Sequence, residues 1–67
     1  MENNMVEFLE SLVDLEKEEA INIIKSNNLT PRIIQEDNIP YMITMDVRLD
    51  RVNIRLEKNK VVTVDIG

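Results

Sequence analysis

Catalysis draws on nucleophiles, bases and metal ligands, and this chain is short of all three. It has no cysteine and no histidine, so the commonest general base, the commonest metal ligand and every thiolate are missing. Ser11 and Ser26 fall in or near helical stretches with no activating partner in view. Asp46 and Asp50 are close in sequence, but Arg48 and Arg51 interleave with them, and ion pairing is the expected role. Gly67 is the sole glycine, so no Gly-rich phosphate loop can form. No acidic run has the regular oxygen spacing and central glycine of a calcium loop. The expectation is a non-enzyme with no catalytic residue, metal or cofactor. Binding remains, and the stretch from Ile43 to Asn53 is suited to it. Met45, exposable between short polar residues, is followed by Arg48 and Arg51 beside a β-branched run. A loop with a protruding apolar side chain, backed by cationic struts on an adjoining strand, is a binding device.

The elements around that stretch must hold it within one domain, residues 1–67, because 67 residues leave no room for a second. A chain of this length buries only about 60% of its unfolded surface, so one small core has to serve. Met5, Val6, Leu9, Leu12 and Val13 recur at helical spacing, with Phe8 beside them, and predict an amphipathic segment over 4–13. Residues 1–10 could form an N-terminal extension, and the apolar stripe could pair with a second copy. Asp14 is a candidate N-cap for a second helix running to about Asn27, with Glu16, Glu18 and Glu19 at its positive end. Ala20, Ile23 and Ile24 would face inward, and Asn27-Asn28 would end it.

Pro31 rules out helix continuation and biases Thr30 to an extended backbone, so Arg32-Ile33-Ile34-Gln35 is a short strand. Residues 36–46, with Pro40 inside, read as a long irregular connection. Val52, Ile54 and Leu56 alternate with Asn53, Arg55 and Glu57, and Lys58-Asn59-Lys60 turns the chain into Val61-Val62-Thr63-Val64. Residues 51–65 are thus a predicted hairpin, with the Ile33-Ile34 strand parallel beside it. The predicted fold class is α+β: one main helix, plus the N-terminal helical segment, on a small mixed sheet from which a long loop projects.

The net charge is −5, unevenly spread. Acids dominate residues 1–28, whereas Arg48, Arg51, Arg55, Lys58 and Lys60 lie in the last third. An acidic first half disfavours binding to a phosphate backbone, so nucleic acid is not an expected partner. No stretch is long enough to span a bilayer, and none has the pattern of a secretory leader, so the expected location is the cytoplasm, away from membranes.

The order Thr44-Met45-Asp46-x-Arg48-x-Asp50-Arg51-Val52 resembles the reactive-site segment of the potato inhibitor I family of serine-protease inhibitors. Arg51-Val52-Asn53-Ile54 is similar to the family's bacterial and fungal elastase-inhibitor relatives, and the likeness extends through Leu12-Val13, Glu18-Glu19-Ala20, Ile33-Ile34 and Gly67. It covers roughly residues 9–67. The resemblance implies a loop that enters a serine endopeptidase as a substrate does. Met45 would be the primary specificity residue and Met45–Asp46 the scissile bond. Ile43 and Thr44 would lie on the acyl side, Val47 and Arg48 on the leaving-group side. It further implies that Arg51 supports the loop from below by bonding Thr44 and Asp46. Asn53 stands where plant members carry a second supporting arginine. The chain departs from the pattern in four places: no Pro-x-Gly turn precedes the loop, Val47 replaces an aromatic, the family tryptophan is missing, and the last strand is shorter. A second expectation, from another class, is a non-enzymatic binding protein on the same scaffold. It could self-associate, sequester an anionic small ligand or block a host protein through Arg48, Arg51 and Arg55, as a phage or bacterial counter-defence protein would.

Overall fold

A computed structural model describes residues 4–67. Two helices, α1 (Asn4–Ser11) and α2 (Lys17–Ser26), precede four strands, β1 (Thr30–Glu36), β2 (Ile39–Pro40), β3 (Arg51–Glu57) and β4 (Lys60–Ile66). The strands form one mixed sheet in the order β2-β1-β3-β4. β1 and β3 run parallel, and the other two pairings are antiparallel. Both helices pack on the sheet. The fold is α+β, as expected, with two helices rather than one serving the core.

That core is Leu12, Ala20, Ile24, Val52, Ile54, Leu56 and Val61, all essentially without solvent contact. Phe8, Leu9, Leu15, Ile23, Leu29, Ile33, Val64 and Ile66 pack around it. Phe8 and Leu9 of α1, with Leu12 just after it, face inward, whereas Met5, Val6 and Val13 of the predicted stripe remain exposed. The buried face is thus centred on Phe8, Leu9 and Leu12, and shares only Leu9 and Leu12 with the predicted stripe. Met5 and Phe8 line a shallow groove of about 240 Å³ with Asn27 and Leu29. Residues 1–3 of the expected N-terminal extension lie outside the described residues.

Asp14 does not cap α2. Its φ of 75° is left-handed, and its N–H donates to the Val61 carbonyl at 2.8 Å, so it ends the turn after α1 and separates the helices. Glu16 is the N-cap, with an extended backbone and no side-chain cap. Glu18 and Glu19 in the first turn compensate by facing the positive end of the dipole. The link between the helices is tied to the hairpin: Val61 donates to the Leu15 carbonyl at 2.9 Å and Lys17 to that of Asn59 at 3.0 Å. Asn28, at φ 62°, closes α2 where the sequence placed its end.

The expected irregular connection over 36–46 is partly regular. β1 continues to Glu36, and Asp37 and Asn38, both at positive φ, turn it back into β2. Two central residues with positive φ make a type I′ turn, whose twist matches that of the strands it joins. Lys58 and Asn59 do the same between β3 and β4. The two turns are tied together, the Lys58 N–H donating to Asp37 Oδ1 at 2.7 Å and the Asp37 N–H to the Leu56 carbonyl at 2.9 Å. The predicted alternation in β3 holds for the face toward the helices. On the other face Arg51 and Asn53 are also buried, whereas Arg55 and Glu57 are wet. Among the described residues no helix is long and apolar enough to cross a membrane.

Candidate functional site

Between β2 and β3 the chain makes an excursion over residues 41–50, with no regular secondary structure and every residue exposed. Its ends are fixed: the Tyr41 N–H donates to the Ile34 carbonyl at 3.0 Å, and Asp50 accepts from the Thr30 N–H at 2.8 Å. The Tyr41 hydroxyl also donates to Glu36 Oε1 at 2.7 Å, which raises the phenol's pKa. Between these anchors the apolar side chains point outward. Met42 is 101% and Met45 93% exposed, and Val47 and Leu49 are also largely in solvent.

The middle of the excursion is held from beneath. Arg51, the first residue of β3, is only 7% exposed. Its Nη2 donates to the main-chain oxygen of Asp46 at 2.9 Å and to that of Gly67 at 2.7 Å, and its Nε also reaches Gly67 at 3.1 Å. Nη1 and Nη2 each approach the Asp46 carboxylate at 3.4 Å. The Gly67 N–H returns a bond to the Arg51 carbonyl at 3.1 Å. This grip places Asp46 over the start of β3. It does not include Thr44, which the family resemblance had assigned to Arg51.

Thr44 is held by Arg32 instead. Arg32 Nη1 reaches the Thr44 hydroxyl at 3.3 Å and its carbonyl at 3.5 Å, while Arg32 Nε donates to Asn53 Oδ1 at 2.8 Å. Asn53 therefore acts on the excursion through Arg32 and makes no bond to it directly. Arg32 escaped the sequence reading because the link depends on register: β1 and β3 are parallel, and Arg32 lies opposite Asn53. The Thr44 hydroxyl in turn donates to Asp46 Oδ1, bridging the two sides of Met45. The Thr44 hydroxyl and Arg51 together hold the Asp46 carboxyl down to about 2.

Of the remaining sequence candidates, Ile43 and Val47 are exposed flanks of the same excursion. Arg48 forms a two-point pair with Asp50, Nε to Oδ1 at 3.1 Å and Nη2 to Oδ2 at 2.9 Å, lowering the Asp50 pKa. Arg55 donates to Thr63 Oγ1 at 3.4 Å. The three arginines expected to gather an anion thus each have a separate intramolecular acceptor. Among the described residues no group of acids is placed to hold a metal ion. Comparison with known protein families, with curated proteins and with solved structures finds no match.

Proposed function

We propose that this protein is a substrate-like inhibitor of a serine endopeptidase of the subtilisin, chymotrypsin or elastase type, on a potato inhibitor I-like scaffold. The observation that carries the reading is an apolar side chain, Met45, standing in solvent while both of its neighbours are held by buried or half-buried arginines of the sheet. A mobile loop would be cut. A held loop presents its main chain to the enzyme's cleft edge at little ordering cost while Met45 fills the pocket. Met is unbranched and polarizable, so it suits an apolar pocket and not one built for a cation. Once the enzyme attacks the Met45 carbonyl, the new amine on Asp46 is kept close by the Arg51 grip, and the peptide bond re-forms.

An anion site at Arg48, Arg51 and Arg55 is less well supported, because each guanidinium already has an acceptor. The inhibitory reading is tested by steady-state assays of subtilisin, chymotrypsin, elastase and trypsin. At least one of the first three is inhibited at micromolar protein, and trypsin is spared. Met45→Gly removes one buried apolar side chain from the complex, about 1.5–3 kcal/mol, and weakens inhibition roughly 10- to 150-fold. Arg51→Ala turns the protein into a substrate cleaved after Met45. Absence of inhibition across the panel would overturn the proposal.

A further inference from the structure

We propose that Met45 is a reversible oxidation site, at which a peroxide converts the thioether to the sulfoxide and switches off binding while leaving the fold intact. This regulation rests on the inhibitory reading above, since it acts on the side chain that would enter the enzyme's pocket.

The chain has four methionines and no cysteine, so thioethers are its only readily oxidised sulfurs. Their environments differ. Met42 and Met45 stand free at 101% and 93% exposure, whereas Met5 is 44% exposed and leans into the groove beside Phe8 and Leu29. Met1 lies outside the described residues. The Met45 side chain belongs neither to the core nor to the shell packed on it. The groups that fix its neighbours are guanidinium donors, a hydroxyl, a carboxylate and main-chain oxygens, none of which a peroxide oxidises. Oxidation can therefore change the tip without loosening what holds it.

The step balances without help from the protein. A sulfur lone pair attacks one oxygen of hydrogen peroxide, the S–O bond forms and the O–O bond breaks. The departing hydroxide takes up the peroxide's remaining proton to leave as water. Sulfur loses two electrons and the peroxide gains them. The product is polar and chiral where the thioether was flexible and apolar. In an apolar specificity pocket its oxygen would be a buried acceptor without a donor, which weakens binding about 10- to 100-fold.

The test is a time course of the full chain in hydrogen peroxide, read by peptide mapping, by unfolding and by inhibition of the enzyme the reduced protein inhibits. The expected result is sulfoxide at Met42 and Met45 before Met5. The inhibition constant should rise about 10- to 100-fold in step with Met45 occupancy, at an unchanged unfolding midpoint. Methionine sulfoxide reductase with a thiol reductant restores inhibition. Met45→Leu, whatever its starting constant, shows no change on oxidation, and Met42→Leu loses inhibition as the parent does. Sulfoxide at Met45 with inhibition intact would overturn this proposal alone, as would loss that tracks unfolding. A reduced protein that inhibits no enzyme would overturn the inhibitory reading and this one with it, so the two failures are distinguishable.

Discussion

Arg32 and Arg51 divide the excursion between them, and their burial sets how much each matters. Arg51 is buried and serves two main-chain oxygens, and a hydrogen bond from a charged donor contributes about 1.5–3 kcal/mol. Arg32 is half-buried and makes longer contacts with Thr44. Arg32→Ala also leaves Oδ1 of the buried Asn53 without its donor, and is expected to cost about 1–3 kcal/mol in urea unfolding. It should free Thr44, seen as a fall in the heteronuclear NOE of the Thr44 amide. An unchanged amide would show that Arg32 holds nothing. The Asp46 carboxyl supplies a second prediction. Its folded-state value of about 2 lies below the ordinary 3.8, so its contribution is fully present above about pH 4 and is lost as pH falls through 2. Carbon NMR of the Asp46 carboxyl should give a midpoint near 2. That midpoint should rise in Arg51→Ala, and an ordinary midpoint in the parent would contradict the bonding described.

At the level of elements, the two type I′ turns use Asp-Asn and Lys-Asn where an Asn-Gly pair would be the clearest signal. Asn59 tolerates a left-handed backbone, but a β-branched residue does not. Asn59→Val is expected to cost roughly 1–2 kcal/mol, read as a lower urea midpoint at unchanged slope. No shift would mean that the turn had changed type. β2 was not legible in sequence while β3 and β4 were, because Val52, Ile54 and Leu56 alternate over a full strand and Ile39-Pro40 is too short to alternate. Both helices are legible from apolar spacing, whereas the face that α1 buries and the left-handed stop at Asp14 are not. Met45 and Arg51 stood out through residue type and order. Arg32 did not, because a partner 21 positions away on a parallel strand leaves no local pattern.

For the molecule as a whole, the peptide bond between Met45 and Asp46 divides the structure into complementary halves. Leu12, Ala20 and Ile24 belong to the first, and Val52, Ile54, Leu56 and Val61 to the second, so neither owns a complete core. The β1–β3 pairing spans the divide as well. Peptides 1–45 and 46–67, made separately, should each be unfolded by circular dichroism and should assemble on mixing in equal amounts. Folding of either peptide alone would contradict this division. Each half also keeps its own brace: Arg32 travels with Thr44, and Arg51 travels with Asp46 and Gly67. The reassembled pair would thus bring its two fresh termini back to facing positions, a molecule that remembers its seam without a covalent link across it.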